Sequence, residues 1–307
     1  MAGYSDAPFR SICLEMGAFL CFTEMASAEA LIRGSQKTFG LLQRGSAEHR
    51  YGIQIFAGSA LSAAKAVRML TPYQADLIDL NCGCSVPKIL KSGCGAALLR
   101  DPSRIREIVK AMASETDNPI TVKLRSGWEA GQINYLENAQ AAVEGGAALI
   151  CLHPRTRSQG FSGSADRSHL KILKRTVPVP IIGSGDLFTA KDALNMVRET
   201  ECDGVMFARG ALGNPFIFRQ AVQLFSGQSP DPPPAPEERL ALALKQLRAT
   251  SILKGEKKAC TEMRKAFAAY TKGIPGASLL RKRVVKALRI SEYESIVADF
   301  RQGTFPD

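Results

Sequence analysis

Ala75-Asp-Leu-Ile-Asp-Leu-Asn-Cys-Gly-Cys84, continued by Ser85-Val-Pro87 and Ser92-Gly-Cys-Gly-Ala-Ala97, decides how the chain folds. The apolar run Ala75 to Leu80 predicts a buried strand, and the glycine-rich stretch after it predicts the loop at its C-terminal end. A cysteine at the mouth of a strand can act as proton donor or nucleophile, because its thiol titrates close enough to neutrality for either role. Glycines beside it let a flat ligand and the backbone approach closely.

Working outward, similar runs recur with helical patterns between them. Strands are predicted at Phe19–Glu24, Gly52–Phe56, Ala75–Leu80, Ile120–Leu124, Ala148–His153, Val179–Ile182 and Gly204–Phe207. Helical patterns cover Ser59–Met69, Pro102–Ala113, Leu136–Val143, Ala190–Arg198 and Pro215–Phe225. Strand and helix alternating in this way demand a parallel sheet with right-handed crossovers. The fold class is α/β, a TIM (β/α)8 barrel whose first strand is truncated or missing. The eighth strand is expected before Met1, since the chain opens on what reads as a strand-to-helix loop, Gly3-Tyr-Ser-Asp-Ala-Pro8. The opening Met-Ala-Gly-Tyr-Ser-Asp has neither a basic region nor an apolar core, so no secretory leader is expected.

The stretch Ser226-Gly-Gln-Ser-Pro-Asp-Pro-Pro-Pro-Ala-Pro236 cannot be helix or central strand and reads as a stiff linker. Beyond it, Glu237–Leu253, Glu256–Tyr270, Ser278–Leu288 and Glu292–Phe300 read as helices, broken by Gly273-Ile-Pro-Gly276. The chain is therefore expected to divide into a barrel (1–225), a Pro-rich linker (226–236) and an all-helical C-terminal domain (237–307).

Hydrophobic residues make up 45% of the 307 residues, enough for a sizeable core, and no apolar run approaches the length of a bilayer span. Eight cysteines without a framework spacing point to reduced thiols in the cytoplasm. The net charge of +11 is concentrated at one end: Arg239 to Asp307 holds 15 Lys/Arg against 6 Asp/Glu. A basic appendage on a near-neutral body predicts a polyanionic partner docking on the small piece. Arg281-Lys282-Arg283 fits that use, and equally fits a solvated helix face.

In a parallel barrel the active site forms at the C-terminal strand ends. Those ends read Val122-Lys123-Leu124-Arg125-Ser126-Gly127, Leu152-His153-Pro154-Arg155-Thr156-Arg157, Ile182-Gly183-Ser184-Gly185-Asp186 and Ala208-Arg209-Gly210. A lysine pointing inward at a strand end needs an anionic or electron-rich partner. Among His49, His153 and His169, only His153 ends a strand; alone it reads as a satisfied core histidine, and Arg155-Thr156-Arg157 beside it tip the reading toward a site. Glycine turns on the last two strands, next to a helix start at Gly213-Asn-Pro215, predict a phosphate cradle. Asp186 is also of the type that caps a following helix. No GxGxxG turn follows a first strand, so the sequence does not support a Rossmann dinucleotide domain. Cys82, Cys84 and Cys94 lack a fourth ligand at metal-site spacing, so no metal is expected.

The set NxGC, VKxRxG, HxRTRxxxxxG, GxGD and ARGxxGNP, followed by Met263-Arg-Lys265 and Tyr270-Thr-Lys-Gly-Ile-Pro-Gly276, resembles the tRNA-dihydrouridine synthases, and their bacterial B-type branch most. The resemblance runs through essentially the whole chain in order. It implies an FMN-binding TIM barrel with a helical tRNA-binding domain, reducing uridine in tRNA to 5,6-dihydrouridine. It implies Cys84 as the catalytic residue that protonates C5, a hydride passed from FMN to C6, and NADPH as the reductant. It implies flavin contacts from Met1, Ala2, Gly3, Gln54, Lys123 and His153, and phosphate contacts from Ser184, Gly185, Asp186, Ala208, Arg209 and Gly210. Asn81 and Arg157 fall to the uracil or the RNA. A monomer in the cytoplasm, with tRNA as partner and no membrane, completes the expectation. The chain departs from the family pattern with Ser85 for the usual Pro, Ser184 for Asn and Ala208 for Gly. Two rival readings are a dihydroorotate-dehydrogenase-like flavoenzyme, which leaves the basic appendage unexplained, and a flavin-free RNA-binding relic.

Overall fold

A computed structural model describes residues 1–45 and 47–303, so the last four residues of the predicted helical segment 237–307 lie outside the described residues. Seven strands form one sheet in sequence order: β1 (Cys21–Phe22), β2 (Tyr51–Phe56), β3 (Leu77–Asn81), β4 (Ile120–Glu129), β5 (Leu149–Thr156), β6 (Ile181–Ser184) and β7 (Gly204–Met206). Every neighbouring pair is parallel. This is the predicted barrel architecture, a curved half-barrel of parallel strands with helices around it, and among the described residues no strand precedes the helix Ala7–Glu15. Two short additions decorate it. Ala26–Ser27 pairs with the end of β2, and Gln132–Ile133 folds back antiparallel on β4.

The apolar positions explain the layers. Leu80, Val122 and Ile150 are paired in register and fully buried in the main core, against helices such as Ala60–Leu70 and Pro102–Ala113. Their neighbours along each strand point to the other side, because strand side chains alternate. That side carries two rows, Gln54–Asp79–Thr121 and, one step toward the strand ends, Asn81–Lys123–Cys151. Phe9, Cys13 and Leu14 of the helix Ala7–Glu15 form a cluster with Ala211 and Ile217. Cys21 of β1 and Phe207 beyond β7 pack on it from either side.

β4 and β5 run past their predicted ends, Leu124 and His153, to Glu129 and Thr156. The sequence turns polar there, yet Arg125, Ser126, Arg155 and Thr156 are buried. Their hydrogen-bonding groups meet protein partners instead of water, Ser126 pairing with His169 and the two arginines with carbonyls and Asp186, so loss of apolar character does not mark the end of the strand.

The C-terminal helices Pro236–Lys254, Glu256–Tyr270, Ala277–Val284 and Ile290–Gln302 have their own core around Leu240, Leu247, Met263, Phe267, Leu280 and Tyr293. Phe267 meets Tyr293 edge-on with ring centroids 4.8 Å apart, an arrangement worth about 1 kcal/mol beyond burial. Ile12 and Phe216 from the barrel side enter the same cluster. Lys254 clamps the junction, donating to Glu262 and to Asp6, each at 2.7 Å. Asp6 in turn caps Ala7–Glu15 by accepting from the Phe9 N–H. The proline-rich stretch is tied down as well. Asp231 pairs with Arg219 and exchanges hydrogen bonds with Gln223.

Candidate active site

Cys84 follows β3 on a loop fastened by two devices. Asn81 Oδ1 accepts from the backbone N–H groups of Gly83 (3.1 Å) and Cys84 (2.9 Å). The Cys84 carbonyl accepts from the Ala96 N–H at 2.9 Å, in the segment Gly95–Arg100. That segment can close on the loop because position 95 is glycine. Its φ is +62°, and a Cβ there would stand 2.8 Å from the Cys84 oxygen. Burial pushes the Cys84 thiol up from its ordinary value, more than the Val86 N–H and the Arg125 cation pull it down. The sulfur therefore keeps its proton through the neutral range.

Beneath the loop, Asn81 Nδ2 donates to Gln54 Oε1 at 2.9 Å, and Gln54 Nε2 donates to Asp79 Oδ2 at 2.8 Å. Thr121 Oγ1 donates to Asp79 Oδ1 at 2.6 Å. Asp79 is fully enclosed; burial raises its carboxyl to about 6 despite those two hydrogen bonds and the nearby Lys123.

Lys123 stands in register with Asn81 and Cys151. Its ammonium makes no hydrogen bond or ion pair among the described residues. Arg125 is 5% exposed and, among the described residues, donates only to carbonyls, those of Gly83, Thr156 and Gly160, each at 2.9 Å. It thereby ties the Cys84 loop to the loop after β5. His153 lies opposite Arg125 in the ladder. Burial first, then the Lys123, Arg125 and Arg155 cations, push its imidazole down to about 2, so it is neutral.

The last two strand ends meet as well. Gly210 packs on the Leu187 carbonyl, which joins the loop Ala208–Arg209–Gly210 to the loop Ser184–Gly185–Asp186. Gly185, at φ +110°, lies against the His153 ring; a Cβ would come 2.7 Å from its Cδ2. Asp186 does not cap the next helix, which is capped by Thr189. Both its oxygens instead take a bidentate bond from the buried Arg155 (2.8 and 2.7 Å), and Arg209 approaches at 3.4 Å. Burial pulls the Asp186 carboxyl up, but the Arg155 hydrogen bonds and the Ala165 N–H outweigh it and hold it below the ordinary range. The Arg209 guanidinium lies 4.2 Å from the exposed ring of Phe161 and 5.3 Å from that of Phe188. The Ser184 hydroxyl makes no hydrogen bond among the described residues.

Met1, Ala2 and Gly3 form a turn held by Glu24, which accepts from the Gly3 N–H at 2.8 Å; Met1 is within electrostatic range of Lys123. Arg157 stands further out, its guanidinium 4.4 Å from the Trp128 ring, with Arg100 3.7 Å from the same ring. Reasoning from sequence assigned no role to Asp79, Thr121, Arg125, Arg155 or Phe161. Asp79, Arg125 and Arg155 sit two residues from Asn81, Lys123 and His153, and the alternation of strands was the signal that could have found them.

The chemistry of this donor set suits a polyanionic, electron-rich ligand. Among the described residues neither Lys123 nor Arg125 forms an ion pair with a carboxylate, and one aspartate serves both Arg155 and Arg209. A protonated thiol stands over the same mouth.

Comparison with known proteins agrees. Residues 1–300 match the family described as dihydrouridine synthase (Dus). A probable tRNA-dihydrouridine synthase of Treponema pallidum (strain Nichols) is 42% identical over 309 residues, covering 97% of this chain and 91% of that protein. The tRNA-dihydrouridine synthase B of Pasteurella multocida (strain Pm70) is 33% identical over 282 residues, with 92% and 85% covered. Among solved structures, histamine dehydrogenase from Rhizobium sp. 4-9 superposes with a TM-score of 0.54 at 14% identity, over 97% of this chain and 59% of that one. A 2-naphthoyl-CoA reductase complex gives 0.55 at 12% identity, over 73% and 47%. Those two likenesses concern the fold alone. With the motifs, the strand-end geometry and matches along its whole length in agreement, the chain belongs to the dihydrouridine synthase family.

Proposed function

We propose that this protein is an FMN-dependent tRNA-dihydrouridine synthase that reduces uridine to 5,6-dihydrouridine, with Cys84 as the proton donor to C5. The observation that carries the reading is the Cys84 loop, fastened by Asn81 at a strand end beside Lys123 and Arg125, two cations that form no ion pair with a carboxylate among the described residues. When bound, FMN reduced by NADPH supplies the hydride to C6 of the uracil.

Lys123 and Gln54 hold the ring system of the flavin, with Met1–Gly3 alongside and neutral His153 as a hydrogen-bonding partner. The Ser184–Asp186 and Ala208–Gly210 turns hold the phosphate through backbone N–H groups and the Ser184 hydroxyl, and Arg209 supplies charge. Asp186 contributes by fixing Arg155 and Arg209 rather than by meeting the phosphate itself. Ala208 keeps its backbone N–H, so its difference from the family's glycine leaves the cradle's donors intact. Cys84 gives its proton to C5 and recovers it from solvent; an acid that is protonated at neutral pH yet not strongly bound to its proton suits that step. The second Nδ2–H of Asn81 is left for the uracil edge.

The barrel segment (1–225) is the catalytic unit, the stretch 226–236 its linker, and 237–307 the tRNA-docking unit. Exposed Lys257, Lys258, Lys272, Lys282, Lys286 and Arg289 provide the phosphate contacts. No helix among the described residues is long and apolar enough to cross a membrane. We place the enzyme in the cytoplasm, as a monomer acting on tRNA.

The test is expression in a strain whose tRNA lacks dihydrouridine, together with the absorbance of the purified protein. Restored dihydrouridine and a bound flavin spectrum are expected. Absence of flavin binding after saturation with FMN overturns the reading.

A further inference from the structure

We infer that Asp79 is a positioning residue that sets the polarity of a hydrogen-bond chain ending at the Cys84 loop. This rests on the reading of Cys84 as the acid, and its geometry is independent of any ligand. An amide side chain can face a neighbour with either its oxygen or its NH2, and something must choose. Asp79 is 1% exposed and, above about pH 6 where it is ionised, only accepts, so hydrogen exchange is to be measured at pH 7.5. Gln54 must therefore turn Nε2 toward it, at 2.8 Å, which leaves Oε1 facing Asn81. Asn81 must then turn Nδ2 toward Gln54, at 2.9 Å, which leaves Oδ1 facing the loop. Only with Oδ1 outward can Asn81 accept from the N–H groups of both Gly83 and Cys84. Reversed, the chain would put NH2 against two N–H donors, and the loop would lose that fastening. Thr121 donates to the other Asp79 oxygen at 2.6 Å, so both oxygens are held as acceptors.

Asp79→Asn tests this, being the same size but able to face Gln54 with either end. Hydrogen exchange of the Gly83–Cys84 amides is the readout that needs no activity. We expect exchange there to speed up about tenfold or more in folded Asp79→Asn, with the outer helices unaffected. The turnover number should fall about tenfold with KM for tRNA within about twofold, since loop placement rather than RNA docking is lost. The double variant Gln54→Glu/Asp79→Asn restores the polarity. The amide introduced at position 79 would donate to one oxygen of the carboxylate introduced at position 54, and Asn81 would donate to the other. Its loop exchange should return to within about threefold of the parent. Unchanged exchange in Asp79→Asn overturns the inference, and so does failure of the double variant to recover protection. Should the parent protein make no dihydrouridine, the reading of Cys84 fails while the exchange data still judge the chain of bonds.

Discussion

The Nη1 of Arg155 lies 3.3 Å from Nε2 of His153, and a guanidinium can only donate. His153 therefore accepts at Nε2 and carries its single proton on Nδ1. Asp186 fixes the donor by gripping the same guanidinium with both oxygens. The buried imidazole, surrounded by three cations, is pushed down to about 2. Nitrogen-15 NMR of the folded protein should show a neutral His153 ring protonated at Nδ1 from pH 5 to pH 9. A titration of His153 near its ordinary value of 6.5 would contradict this.

Asp186 also matters for stability. Arg155 is 2% exposed, so removing its partner leaves a buried cation without a counter-ion. Asp186→Ala should cost roughly 2–4 kcal/mol in chemical denaturation, discounted from a fully buried pair because Asp186 itself is partly exposed. Asp186→Asn, which keeps two polar atoms in place, should cost less. Equal losses in both variants would show that the negative charge alone, and not the hydrogen bonds to Arg155, holds the guanidinium there.

The Asp79 carboxyl gives a pH dependence of definite sign. Its folded value is raised from 3.8 to about 6, chiefly by burial, with its hydrogen bonds and the Lys123 cation opposing the rise. The folded state thus holds a proton that the unfolded state releases earlier. Its contribution is fully present below about pH 4 and is lost as pH rises through about 6, at a cost on the order of 3 kcal/mol. Asp79→Asn does not titrate. Relative to the parent, this variant should gain stability between pH 4.5 and pH 7.5 even as it loses turnover. A gap between the two proteins that stays constant with pH would refute the assignment.

On the outer rim, Trp128 stands between Arg100 and Arg157, neither of which has an ion-pair partner among the described residues. Arg157→Ala should weaken tRNA binding and reduce the slope of log affinity against log salt by about one, as for one phosphate contact. Trp128→Ala should weaken binding without altering that slope, since it removes the surface that orders the two guanidinium groups rather than a charge. Filter binding across a salt series separates the two outcomes.

Much of this arrangement was legible in the chain, and for physical reasons. The central strands have a buried outer row, so Leu80, Val122 and Ile150 announce themselves as apolar runs. Cys84, Lys123 and His153 stood out because each follows or ends such a run. The rest was hidden where polar residues are buried. Arg125 and Arg155 read as strand-ending charges, yet Arg125 meets carbonyls 31 to 42 residues away and Arg155 the Asp186 carboxylate 31 residues away, besides the nearby Ser162 and Gly163 carbonyls. Asp79 read as part of an alternating strand, and nothing local reveals that Gln54 and Thr121 flank it in the ladder. The short helices Ala28–Ile32 and Gln36–Phe39 escaped notice because four or five residues are too few for a periodic signal.

The central claim, that the Cys84 thiol is the acid, is tested most directly by comparing Cys84→Ala with the parent in single turnovers on tRNA lacking dihydrouridine, with saturating reductant. The account predicts that dihydrouridine formation slows by about a hundredfold or more, with tRNA affinity and flavin content unchanged. Formation at the parental rate would contradict it.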